Sequence, residues 1–380
     1  MDIKTPLELL GGISPADFTR RYWQKKPLLI RQAIKGFRPI LDRTALFELA
    51  SHDDVESRLI IHDPTLQPAW RMRRGPFGRR QLPALKQPGW TLLVQGVDLH
   101  QDAAHALLAC FRFLPDARLD DLMISYASDA GGVGPHFDSY DVFLLQAHGR
   151  RRWRIGRQQD LGFQEGVPLK ILQHFEPEEE FVLEPGDMLY LPPRYAHDGV
   201  AEGECMTYSI GFRSPSVEEI QRSLLAGMAD HLKTTRRQRY YSDAALVASP
   251  LSALVPAGMR QFARRAVVQA LQDPQAIDCA LGEYLSEPKP GVWFDGAPLD
   301  DQAQTPSNLV VDRRTRMLYD DRRVFINGES YVAKGQDFKL LCELANQRRL
   351  AHAKHRRLSA QAQAILQDWL QAGWIHLANA

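Results

Sequence analysis

Residues 134–153 read GPHFDSYDVFLLQAHGRRRW, and the rest of the chain is organised around them. His136 and Asp138 stand two apart, so in an extended strand both side chains point to one face while Phe137 packs behind. An imidazole and a carboxylate aimed at one point are two thirds of the 2-His-1-carboxylate facial triad, which holds ferrous iron and leaves three positions open. Val142 to Ala147 supplies an apolar strand run, His148-Gly149 predicts a tight turn, and a second strand starts at Arg150. On it Arg151, Trp153 and Ile155 share one face, and Arg150, Arg152 and Arg154 the other. Two apolar neighbours make the Arg151 face the interior one. A buried guanidinium without an anion is costly, and no acidic residue close in sequence supplies one. A ligand carboxylate gripped by the arginine fork satisfies it; a structural salt bridge is the bland alternative. The outer arginines read as a solvated face.

Outward from this stretch, Leu122 to Ala127, Met188 to Leu191 and Met206 to Phe212 read as further strands. Turn signals separate them, among them Glu184-Pro185-Gly186-Asp187. Short strands with frequent turns predict an antiparallel sandwich or barrel, and no helical pattern between them allows parallel βαβ units. The candidate third ligand is His197, just beyond Pro192-Pro193. His100, His105, His148 and His174 are poorer candidates and read as surface or packing residues.

Toward the N-terminus, Ser14-Pro15 opens a helix bearing Phe18, Tyr22 and Trp23. Leu28 to Ile30 predicts a strand, residues 45–51 a helix, Trp90 to Val97 a strand and His105 to Leu114 a helix. The Arg-, Pro- and Gly-rich stretch 66–88 reads as a surface loop. After Arg213 helical periodicity takes over: a Ser216–Glu219 capping box, then apolar stripes near Ile220 to Met228, Met259 to Leu271 and Ala276 to Leu285. This block has more apolar face than short helices can bury, so it predicts either self-association or docking on the sheet. Residues 287–291 read as a linker. Beyond them, strands at Met317–Asp320, Val324–Ile326 and Tyr331–Ala333, helices at Asp337–Asn346 and Ser359–Ala372, and Ile375–Leu377 fit a winged-helix-like α+β module. The predicted division is 1–213, 214–286 and 287–380.

Length alone predicts more than one domain, since 380 residues exceed the size of a single growing core. Basic and acidic residues number 47 and 46, a balance that argues against a chain whose task is to coat nucleic acid, though a local basic patch is compatible with it. Cys110, Cys205, Cys279 and Cys342 lack CxxC spacing, which predicts reduced thiols in a cytoplasmic setting. Neither a signal peptide nor an apolar run of transmembrane length is visible.

Met123-Ile124-Ser125, the Gly-Val-Gly-Pro-His-Phe-Asp segment at 132–138, Gly149 to Trp153, Glu184 to Asp187 and Tyr208 to Phe212 resemble the JmjC-type (cupin-like) ribosomal oxygenases, above all the bacterial arginyl hydroxylases of ribosomal proteins. The resemblance implies a double-stranded β-helix, a helical dimerisation region and a C-terminal winged helix. It implies ferrous iron at His136, Asp138 and His197, with 2-oxoglutarate held by Arg151 and Ser125. Thr207 stands where relatives carry an asparagine, so a polar contact to the cosubstrate is altered there, and the 194–196 loop also departs from the family. The implied reaction uses dioxygen and 2-oxoglutarate, releases succinate and carbon dioxide, and hydroxylates an arginine Cβ of a large-subunit ribosomal protein. Tyr140 and Asp141 are then candidates for holding the target guanidinium. Lysine demethylation, histidine hydroxylation, a tRNA substrate, or a non-catalytic module that binds nucleic acid through Arg348 to Arg357 are the competing readings. The basic stretch reads more simply as an exposed helix face and loop, so a homodimer with no direct nucleic-acid contact is expected.

Overall fold

The computed structural model describes residues 2–230, 239–244, 253–296 and 307–379. They fall into two compact units, Met1–Ser214 and Pro215–Ala380. The first runs α1 (Pro15–Arg21), β1 (Leu28–Ile30), α2 (Arg43–Leu49), β2 (Ser57–His62), β3 (Trp70–Arg74), β4 (Trp90–Val94), α3 (Asp102–Ala109), β5 (Leu119–Ala127), β6 (Val142–Gly156), β7 (Glu179–Leu183), β8 (Met188–Leu191) and β9 (Ala196–Phe212). Ser14 caps α1 by accepting from the Asp17 N–H at 3.1 Å, with Pro15 at the first helical position. Asp42 caps α2 through the Ala45 N–H at 2.8 Å.

The strands make one sheet in the order β1-β8-β6-β9-β5-β4-β2-β3, with β7 on the second half of β6. Every pairing is antiparallel, as expected. One face carries the main core: Leu122, Ile124 and Tyr126 of β5, Leu92 and Val94 of β4, and Tyr208 and Ile210 of β9, covered by Phe18, Leu46, Phe47 and Leu108. Each fully buried large apolar side chain here contributes roughly 1.5–3 kcal/mol. The alternate residues of β5 and β9, including Ser125 and Thr207, face the other way, into the chamber of the double-stranded β-helix.

The predicted turn at His148-Gly149 is not a turn. β6 runs straight through it as one 15-residue strand. Its pairing with β9 shifts register between Gln146 and His148 and again between His148 and Arg150. The first shift inserts one residue, which reverses the faces of everything after it. Before it, Phe143, Leu145 and Ala147 point to the main core; after it, Arg151, Trp153 and Ile155 point into the chamber. Gly149 has φ +61°, and a Cβ there would lie 2.1 Å from the Glu204 carbonyl oxygen, so the bulge requires glycine. The outer arginines are ion-paired rather than merely solvated: Arg150 and Arg152 with Glu202, Arg152 with Glu180, Arg154 with Asp198.

Other differences have similar causes. β9 is a single 17-residue strand, not only Met206 to Phe212, because glycines and charges mask its alternation. The 66–88 stretch is not all loop: Trp70–Arg74 pairs with β2. His136 lies on no regular strand and joins the sheet by one bridge to His197.

The second unit holds α4 (Val217–Asp230), α5 (Ala257–Ala270), α6 (Pro274–Ser286), β10 (Ser307–Val311), β11 (Met317–Tyr319), β12 (Arg323–Ile326), β13 (Glu329–Val332), α7 (Gly335–Gln347), β14 (Arg349–Leu350), α8 (His352–His355), α9 (Ala360–Gln371) and β15 (Ile375–Asn379). Ser216 and Glu219 form the reciprocal capping box ahead of α4. Two three-stranded sheets, β14-β10-β15 and β11-β12-β13, enclose Leu341, Leu344, Leu366 and Trp369. Asn327-Gly328, both at positive φ, turn β12 into β13. The basic stretch is tied to the fold, with Arg348 donating to the Thr315 and Asp312 carbonyls and Lys354 paired with Glu343. No described helix is long and apolar enough to cross a membrane, and all four cysteines are free.

Candidate active site

His136, Asp138 and His197 come together in the chamber, each offering a ligand atom within 4.8 Å of the others. The bridge that joins them uses both main-chain bonds, His136 N–H to the His197 carbonyl at 3.0 Å and His197 N–H to the His136 carbonyl at 2.8 Å. Their rings lie 4.2 Å apart, and His197 Nε2 is 3.7 Å from Asp138 Oδ2. Each imidazole turns its Nδ1 to a main-chain carbonyl, His136 to Gly134 at 2.9 Å and His197 to Tyr195 at 3.0 Å. A ring that donates from Nδ1 leaves the Nε2 lone pair for a metal. Burial, with the neighbouring His136 adding to it, pushes the His197 pKa down to about 4, so this imidazole is neutral at physiological pH. Two imidazoles and one carboxylate in this arrangement fit a ferrous ion.

Arg151 enters the same chamber and is 5 % exposed. Its Nη1 donates to Ser125 Oγ at 3.1 Å, and Ser125 Oγ donates to the Thr207 carbonyl at 3.2 Å. Arg151 Nε and Nη2 are buried without a hydrogen-bond partner. A guanidinium with two idle donors in a dry site has the chemistry to take a carboxylate. The Trp153 ring stands between it and the metal side, 5.6 Å from the guanidinium carbon and 5.8 Å from the His197 ring. Gly199 leaves room for that indole, since a Cβ there would lie 2.6 Å from it.

Gln146 belongs to this arrangement although its sequence context gave it no role. Fully buried, it accepts from Thr207 Oγ1 at 2.9 Å and donates to the His148 carbonyl at 2.8 Å, lacing the bulge to the chamber. A polar residue inside the apolar run Phe143-Leu144-Leu145-Gln146-Ala147 was the available signal. At the rim, Trp70 and Ile171 flank Gly134, each 3.1 Å from where its Cβ would be. Among the weaker candidates, His174 pairs with Asp160 at the surface, and His148 is exposed.

Tyr140 is at the mouth, 39 % exposed, its hydroxyl held above the ordinary phenol range by burial and by the Asp138 and Asp121 carboxylates. Asp141 is not. Its side chain is fully buried and already engaged by Tyr190 at 2.6 Å, Gln24 at 3.1 Å and Arg118 at 3.3 Å, so it cannot hold a substrate. Asp141→Ala strands those partners and is expected to cost about 3 kcal/mol, a fall of roughly 6–12 °C in Tm for a unit of this size. Thermal melting checks this; an unchanged Tm would contradict it.

Residues 106–220 match the JmjC domain family, and residues 269–376 match the ROXA-like winged helix. The chain is 38% identical over 277 residues to the ribosomal protein uL16 3-hydroxylase of Escherichia coli strain K12, covering 71% of each protein. A ribosomal oxygenase from Escherichia coli solved with cobalt and 2-oxoglutarate superposes with a TM-score of 0.78 at 31% identity, over 95% of this chain and 97% of that one. The same oxygenase solved with cobalt and succinic acid superposes with a TM-score of 0.77 at 29% identity, again over 95% and 97%.

Proposed function

The chain belongs to the JmjC-domain ribosomal oxygenases, and on that footing we propose that it hydroxylates an arginine side chain of a large-subunit ribosomal protein at Cβ. It is an Fe(II)- and 2-oxoglutarate-dependent dioxygenase. A ferrous ion held there would supply the oxidising chemistry that couples dioxygen and 2-oxoglutarate to hydroxylation of a substrate C–H bond, with succinate and carbon dioxide as the co-products. His136, Asp138 and His197 would hold the metal. Arg151 would grip the cosubstrate's distal carboxylate through its two idle donors, with Ser125 orienting the guanidinium. Thr207 lies beside this socket, but its one hydroxyl proton is committed to Gln146, so its part would be to fix the wall of the socket. Trp153, Ile155 and Leu183 keep water from the chamber, and Tyr140 lines the way in.

The observation that carries this reading is the pairing of a convergent His-Asp-His set with a buried, half-idle arginine in one chamber. The test is incubation with Fe(II), 2-oxoglutarate, air and purified large-subunit ribosomal proteins, followed by mass spectrometry. One protein gaining the mass of a single oxygen atom on an arginine is expected. Oxidation of a histidine instead, loss of a methyl group from lysine, or oxidation of tRNA would overturn the arginine assignment.

Residues 214–286 would form the dimerisation region, consistent with the exposed Leu225, Met259, Val267 and Val268 on α4 and α5, and residues 287–380 the winged-helix domain. A homodimer working in the cytoplasm, where ribosomal proteins are made, follows from this reading.

A further inference from the structure

β3 is one of the two end strands of the nine-stranded sheet's path, bonded to β2 alone. Edges are commonly guarded by a charge or two. Here the edge and the loop after it carry Arg71, Arg73, Arg74, Arg79 and Arg80, all exposed. Since the whole chain has a net charge of +1, this is a local concentration and not a by-product of basic composition. The outer arginines of β6, Arg150, Arg152 and Arg154, each have a carboxylate partner. Among the described residues these five form no ion pair; the nearby Asp63 carboxylate feels Arg71 without bonding to it.

Two of the five are held in place by rings. Arg73 lies over Phe77 at 5.6 Å and Arg79 over Phe47 at 5.2 Å. Arg73 Nη1 also donates to the Gln81 carbonyl at 3.4 Å, which ties strand and loop into one surface. Stacking occupies a guanidinium's face and leaves its rim of N–H donors to a ligand. Trp70, the first residue of the same strand, stacks on His62 with centroids 4.0 Å apart and reaches Gly134, two residues before His136. The arginine edge therefore begins at the mouth of the active site.

A row of unpaired, partly immobilised guanidinium groups fits a chain of phosphodiesters. It would repel the basic surface of a ribosomal protein, so it is not the groove for the substrate peptide. We propose that the β3 edge and its following loop bind RNA, taking up the nucleic acid that accompanies the substrate while the target side chain enters the chamber. This RNA surface presupposes the ribosomal substrate proposed above, and it revises the expectation of no direct nucleic-acid contact.

The test uses the full chain and a labelled single-stranded RNA, read by fluorescence anisotropy without iron or cosubstrate, so its failure is distinct from a failure of hydroxylation. With about five phosphate contacts, log K is expected to fall with log salt with a slope of about −3.5. The triple variant Arg71→Gln/Arg74→Gln/Arg80→Gln should bind at least about ten-fold more weakly, with the slope flatter by about 2. The matching triple lysine variant should keep the slope, and both should hydroxylate free ribosomal protein at the parental rate. RNA affinity unchanged in the glutamine variant would overturn the proposal and leave the arginines as guards of a sheet edge. So would polyglutamate peptide binding in preference to RNA.

Discussion

Replacing His197 with alanine is expected to remove metal retention and turnover together. The side chain is buried, its Nδ1 is tied to the Tyr195 carbonyl, and its Nε2 faces Asp138 across 3.7 Å. Two ligands from one short segment, His136 and Asp138, do not close a three-point site, and a ferrous ion's Lewis acidity provides several kcal/mol. Hydroxylation should therefore drop by on the order of 10³-fold or more. Asp198→Asn is the matched control, because Asp198 is the next residue of β9 but points to the outer face, paired with Arg154. It should keep both metal and turnover. Metal content after gel filtration and product mass are the two readouts, and a His197→Ala protein that retains stoichiometric metal would remove the site assignment.

Arg151→Met is expected to separate binding from folding. Two charge-assisted hydrogen bonds to a carboxylate are lost, about 3 kcal/mol, so the KM for 2-oxoglutarate should rise by on the order of 10²-fold. Arg151→Lys keeps the charge but not the fork and should fall between. In the absence of cosubstrate the sign reverses. Nε and Nη2 are buried with nothing to bond, so a methionine of similar length should raise the melting temperature of the apo protein. Titration of 2-oxoglutarate and apo-protein melting check the two halves. An unchanged KM would mean that the guanidinium is structural, and a lower apo melting temperature would mean that it has a partner in the fold.

Much of this site can be read from the chain because its signals are local. The His136-Asp138 spacing and the alternation Arg151-Trp153-Ile155 each lie within a few residues, and the structure brings the three candidate ligands together. Local signals also misled. His148-Gly149 has turn composition, yet strand pairing on both sides carries β6 through it as a bulge. Trp70–Arg74 lacks apolar alternation because it is an edge strand, with one side unpaired. Asp141 looked like a mouth residue only because its neighbours Asp138 and Tyr140 are near the metal side. Its real partners, Gln24, Arg118 and Tyr190, are far away in sequence, and no spacing rule reaches them. Gln146 was missed for the same reason, since its value comes from Thr207 on another strand.

The single extra backbone unit in β6 works like a frameshift. A sheet is read two residues at a time, and everything after Gly149 takes its phase from that insertion. Point substitutions alter one letter of the chamber lining, but loss of that one unit would exchange Arg151, Trp153 and Ile155 for Arg150, Arg152 and Arg154 in one stroke. Three guanidinium groups would then crowd the chamber and the indole would face water. The chamber lining of this barrel is thus open to gradual change residue by residue, while the length of β6 in this one place is not.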